Sequence, residues 1–135
     1  MNMTMEAMRY QGDHSLQIDY VPGSAVAMGE VIDVGNLVGI CTVPTGLEAD
    51  KLGSLETKGV FRVIKDGTSG PVFTQGDEVY WDTANNLAVA APGANIVYLG
   101  VAVEAAGANQ AWVCVDINVT PPQFAVGYSV TTTTT

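Results

Sequence analysis

Any chemistry in this chain has to begin with His14, its one imidazole, because histidine alone carries an unperturbed pKa near neutrality. Asp13 and Ser15 flank it, but consecutive residues on an extended chain alternate faces and cannot by themselves form a nucleophile–base–acid relay. A thiol nucleophile would have to be Cys41 or Cys114. Each lies in an apolar run where burial raises the thiol pKa and blocks attack, so both read as buried free thiols in preference to a long-range disulfide. Zinc needs three or four clustered ligands, which one histidine and two distant cysteines do not supply. Asp33, Asp66, Asp82 and Asp116 stand near strand ends and invite a calcium reading. They lack the D-x-D-x-D-G spacing, and acids at turns commonly cap backbone amides. Gly67-Thr68-Ser69-Gly70 is not followed by Lys-Ser or Lys-Thr or by a helical pattern, so it is a loop and not a phosphate cradle. Tyr80, Trp81, Tyr98 and Trp112 would make a sugar-stacking platform if they shared a face; strand aromatics otherwise fill cores and subunit contacts. The residues therefore predict no enzyme, no cofactor and no metal, with a carbohydrate- or host-surface-binding β module as the alternative to a structural role.

The elements that would position these residues read as strands. Of 135 residues 47% are hydrophobic and only 14% charged, enough for one domain with its own core but little charged surface to keep it monomeric. The net charge of −9 repels phosphate backbones, so no nucleic-acid partner is expected. No stretch of about 18 apolar residues occurs and Met1–Tyr10 has no basic region followed by an apolar one, so neither membrane insertion nor secretion is expected. Glycines and prolines divide the sequence into short β-branched and aromatic runs, which predict an all-β domain, a small β-barrel or β-sandwich. The strands expected are 15–20, 30–34, 37–43, 59–64, 78–82, 87–91, 97–104 and 110–118. Asp66-Gly67 and Asn85-Asn86 predict hairpin turns, while Leu47–Thr57 reads as a loop with at most a helical turn.

Gly29-Glu30-Val31-Ile32 ahead of Val38-Gly39-Ile40-Cys41 is echoed by Gly76-Asp77-Glu78-Val79 ahead of Leu99-Gly100-Val101-Ala102. Reuse of a common turn is the economical account, with internal duplication as the alternative. The chain divides into an N-terminal arm at 1–11 with no strand partner of its own, a β domain at 12–119 and a flexible tail at 120–135. The tail runs through Pro121-Pro122 to five threonines. Its alternating Phe124, Val126, Tyr128 and Val130 would suit strand addition to another subunit's sheet.

The order of motifs resembles the tailed-phage capsid decoration, or cement, proteins. The likeness spans roughly Ala7 to Asn118. It rests on Tyr10-Gln11-Gly12-Asp13, Ile18-Asp19-Tyr20-Val21-Pro22-Gly23, Val26-Ala27-Met28-Gly29-Glu30-Val31-Ile32, Leu37-Val38-Gly39-Ile40, Gly53-Ser54-Leu55-Glu56-Thr57-Lys58-Gly59-Val60-Phe61, Gly76-Asp77-Glu78-Val79-Tyr80-Trp81-Asp82 and Leu99-Gly100-Val101-Ala102. The resemblance implies a homotrimer on the outside of an expanded head, assembled in the host cytoplasm and partnered by the major capsid protein. It also implies an N-terminal arm that binds the shell, here Met8, Arg9, Tyr10 and Gln11.

Overall fold

The computed structural model describes residues 7–11, 16–35 and 37–119. Among them there is no helix. Ten strands run in the order β1(Ala7–Gln11), β2(Gln17–Tyr20), β3(Val31–Asp33), β4(Val38–Ile40), β5(Gly53–Glu56), β6(Val60–Ile64), β7(Glu78–Asp82), β8(Leu87–Val89), β9(Ile96–Ala102) and β10(Trp112–Ile117). They form two antiparallel sheets ordered β2-β5-β4-β3 and β1-β6-β10-β9-β7-β8, a sandwich-like all-β fold as expected. A parallel bridge from Lys65 to Ala88 brings β8 back toward the end of β6 and curls the larger sheet.

All eight expected strands are present, and two more were misread. β5 lies within the segment taken for a loop. Its Gly53 marks a close approach, since a Cβ there would stand 2.6 Å from Leu47 Cδ2. β1 lies within the supposed arm: its backbone pairs antiparallel with β6, Ala7 opposite Val63 and Met8 opposite Arg62, and Ala7 is buried. The expectation that this arm lacks a partner in its own domain is thereby corrected. The five residues of β1, with apolar Ala7 and Met8 adjacent and then Arg9, Tyr10 and Gln11, offer little apolar alternation to read. The Asn85-Asn86 hairpin joins β7 to β8, with Asn86 at φ 57. Asp66-Gly67 turns the chain without making a hairpin, because β6 pairs with β1 and β10 instead.

The echo in the sequence is a structural repeat. β2, β3, β4 and β5 lie in the order β2-β5-β4-β3, and β6, β7, β9 and β10 lie in the matching order β6-β10-β9-β7. The registers agree as well. Gly29 N donates to Cys41 O and Cys41 N to Glu30 O; in the second half Gly76 N donates to Ala102 O and Ala102 N to Asp77 O. Gly29 and Gly76 share a left-handed φ, 88° and 94°. Each half is closed by an antiparallel bridge, Val26 with Leu47 and Phe73 with Ala106. Each of these four residues precedes the same turn, in which the N–H of Glu30, Lys51, Asp77 or Gln110 donates to the carbonyl three residues back. Turn reuse alone does not reproduce strand order, register and bridge together. β8 is an insertion in the second half, and β1 an addition to its edge.

The core follows this plan. Phe61, Val63, Phe73, Val79, Trp81, Leu99, Val113 and Val115 of the second half form the main cluster, joined by Val31, Val38 and Ile40 from the first. A smaller cluster, Val26, Cys41, Leu47 and Leu55, fills the first half, with Ile18, Tyr20, Ile32, Val34 and Val43 packed against it. The halves are fastened at Asn118, at φ 60, whose Oδ1 accepts from Val38 N at 3.0 Å and whose Nδ2 donates to Val38 O and Thr57 O, each at 2.9 Å.

Gly100, on β9, faces β10 so closely that an added Cβ would lie 2.2 Å from Asp116 O, a backbone atom that cannot step aside. Gly100→Ala should cost about 1–3 kcal/mol by overpacking, a fall in Tm on the order of 10 °C. Gly107→Ala, where nothing lies within 4 Å, serves as the control. Equal melting curves for the two variants would show that β9 and β10 are not held in this register.

Candidate functional site

Among the described residues, both thiols and three of the candidate acids are committed to the fold. Cys41 and Cys114 are free and buried, at 0% and 1% exposure, and burial is the main cause that raises both thiol pKa values. Neither is placed to act as a nucleophile. Three of the four acids considered for calcium instead cap turns, and the fourth, Asp116, lies within β10. Asp33 accepts from Gly35 N, Asp66 from Thr68 N, and Asp82 from Ala84 N, Asn85 N and Asn85 Nδ2. These bonds hold the Asp82 carboxyl below its ordinary range, with the Asn85 side chain contributing most. No group of three His, Cys, Asp or Glu among the described residues is placed to hold a metal. His14 lies outside the described residues, as does the tail with Phe124 and Tyr128.

Of the four aromatics of the sugar-platform alternative, Tyr80, Tyr98 and Trp112 share the face of the larger sheet that carries Glu78, Val101 and Asp116, and Trp81 does not. Trp81 is in the core at 1% exposure. Tyr80 and Tyr98 pack edge to face at 5.6 Å, with the Tyr80 hydroxyl donating to Glu78 Oε1 and the Tyr98 hydroxyl to Val119 O. Trp112 carries the Arg62 guanidinium 4.0 Å over its ring. An open depression of about 470 Å³ lies beside Asp19, Leu47, Glu48, Lys51 and Leu52. Its Lys51–Glu48 pair, 3.8 Å apart with both side chains largely exposed, contributes little.

What the surface does present is strand edges and scattered apolar side chains. β1 ends the larger sheet, and its pairing shifts between Arg9 and Gln11, so that Tyr10 is the extra residue of a bulge. Met8, Arg9, Tyr10 and Gln11 thus share one strand, which the structure brings beside Arg62 and Phe61 of β6. β2 ends the smaller sheet. Leu16, Val21, Leu52 and Val72 are more than half exposed. Sequence reasoning missed these edges because an edge is a property of pairing, which composition does not record.

A small two-sheet β domain of this kind presents strand edges to which other chains can add. The family model for phage cement proteins matches residues 10–118, and the chain belongs to that family. Membership makes it a structural protein associated with a bacteriophage capsid. No curated protein and no solved structure matches the chain.

Two outcomes test this account of the site. Ellman's reagent should find no reactive thiol in the folded protein and both in denaturant; rapid labelling of either in the native state would refute the burial. Tyr98 is pushed up to about 12, first by burial and then by the negative charges of Glu78, Tyr80 and Asp116. Its folded pKa lies above the ordinary 10.0, so its contribution is complete below pH 10 and is lost as pH rises toward 12. Tyr98→Phe should flatten the alkaline fall in Tm over that window, and parallel curves for parent and variant would count against it.

Proposed function

We propose that the chain decorates the outer surface of an expanded tailed-phage head as a homotrimer bound to the major capsid protein. In this reading it stabilises the shell after assembly in the host cytoplasm. The observation that carries this reading is the cement-family match over residues 10–118, joined to a domain whose two thiols are buried and whose turn acids Asp33, Asp66 and Asp82 cap backbone amides. Sparse charge and exposed apolar side chains favour a closed cyclic assembly that covers them. The strand carrying Met8, Arg9, Tyr10 and Gln11 is the proposed contact with the shell. As a terminal strand with a bulge it offers backbone groups to a capsid strand, and Arg9 adds a positive charge to an acidic chain. Contacts of about 800 Å² per partner, repeated in a trimer, gain avidity over any single one.

Co-sedimentation with expanded, undecorated capsids tests the proposal. Parent protein should bind to saturation, and Arg9→Glu should bind more weakly, with a dependence on salt that differs from the parent's. Deleting residues 1–6 should leave the Tm within a few degrees. Deleting 1–11 should lower it, because Ala7 and the β1–β6 ladder are lost. Failure of the parent to sediment with capsids would overturn the function; undiminished binding of Arg9→Glu would overturn the contact. Light scattering that gives a concentration-independent monomer, with monomeric density on particles, would overturn the trimer.

A further inference from the structure

The structural repeat allows one half of the molecule to be compared with the other. Ile18, Tyr20 and Ile32 of the first half take the places of Phe61, Val63 and Val79 in the second. The latter three are fully buried, while the former are only half-buried. Pairing accounts for the difference. β6 has β10 on one side and β1 on the other, whereas β2, its counterpart, has β5 alone among the described residues. Thr57 N donates to Leu16 O, so Leu16, Ile18 and Tyr20 bond toward β5, and the alternation of an antiparallel ladder turns the N–H and C=O of Gln17 and Asp19 outward. Apolar side chains bracket that edge. Leu16 and Val21 are each 55% exposed, and the register continues to set Val21 opposite Leu52, at 70%.

We propose that residues 123–130 of the same chain lie along the outer edge of β2 as an added strand, covering the first half as β1 covers the second. Phe124, Val126, Tyr128 and Val130 recur at the two-residue period of a strand with one apolar face, and Ala125, Gly127 and Ser129 between them are small. The chain leaves the fold at the right place. Asn118 Nδ2 donates to Thr57 O, and Thr57 N donates to Leu16 O, so Val119 emerges beside the start of β2. Thr120–Gln123 can span about 13 Å when extended, against a strand spacing of about 4.8 Å. Pro121-Pro122 favours an extended connector of that kind. Entering at the Leu16 end, the added strand runs in the direction of β2. Its apolar face completes the cluster around Ile18 and Tyr20, and its backbone meets Gln17 and Asp19.

Amide hydrogen exchange followed by NMR on the full chain tests this, at two protein concentrations and with no capsid present, so its outcome is independent of the decoration reading. The Gln17 and Asp19 amides should exchange at least about tenfold more slowly in the full chain than in a chain ending at Val119, at either concentration. The double variant Val126→Pro, Tyr128→Pro removes two N–H donors at full length and should lose the same protection, whether or not the shortened chain folds. Val63 and Val115, in the second-half core, should keep theirs in both. The proposal is overturned if Gln17 and Asp19 exchange fast in the full chain, or if they stay slow in the proline variant. Protection that appears only at the higher concentration also overturns it, by assigning the strand to a neighbouring copy.

Discussion

The fold depends on β6 having a partner along each side. Phe61 and Val63 are wholly buried, so the backbone between them has no water to bond and must find its partners in other strands. One side is supplied by β10, which sets Val115 opposite Phe61 and Val113 opposite Val63; the other by β1. From β10 the ladder passes to β9 and then to β7, and the residue that ends β10's run, Asn118, ties the smaller sheet to the larger. A pairing between strands this far apart in sequence must be bought with loop-closure entropy before it is rewarded. The β6–β10 and β1–β6 ladders both carry that cost.

The repeat survives with little sequence identity because few of its positions are constrained. Each half has a left-handed glycine ahead of its second strand, β3 or β7, an acid that caps the turn behind it, and an apolar pair at the bridge. Glu30 Oε1 accepts from Ala27 N, and Asp77 Oδ2 from Thr74 N, each at 2.8 Å. At the bridges the total volume is kept while its division changes: Val26 meets Leu47, two side chains of middling size, and Phe73 meets Ala106, one large and one small. The halves then diverge at their edges, where β8 and β1 enlarge only the second.

Strand identity was legible where β-branched and aromatic residues alternate between glycines, as in Val60–Ile64 and Glu78–Asp82. It was lost where glycine serves packing, as at Gly53, which lies in the segment read as a loop and proves to be the first residue of β5. Buried thiols and turn-capping acids were legible because their neighbours in sequence already decide their surroundings. The pairing of β1 with β6 was not, since nothing local to Ala7–Gln11 names a partner as far on as residues 60–63. The same reason hid the edges: Met8, Arg9, Tyr10 and Gln11 could be singled out by type, but not placed on a bulged strand.

Sheet edges in a chain with so few charged residues cannot all be guarded by surface lysines. Three of the four are blunted by other means. β8 has only three residues, and its Ala88 is bridged by Lys65, a lysine turned inward whose amine donates to Asp66 O and whose pKa burial pushes down. β3 is equally short and ends at Asp33, whose carboxylate is occupied by Gly35 N. β1 carries the Tyr10 bulge and β2 has no such device among the described residues, and they are the edges nearest the two ends of the described fold: β1 opens it, and β2 lies beside the point where Val119 leaves it. The interior of the chain has thus closed the edges it can reach, and what remains open falls to whatever the terminal segments or a partner provide.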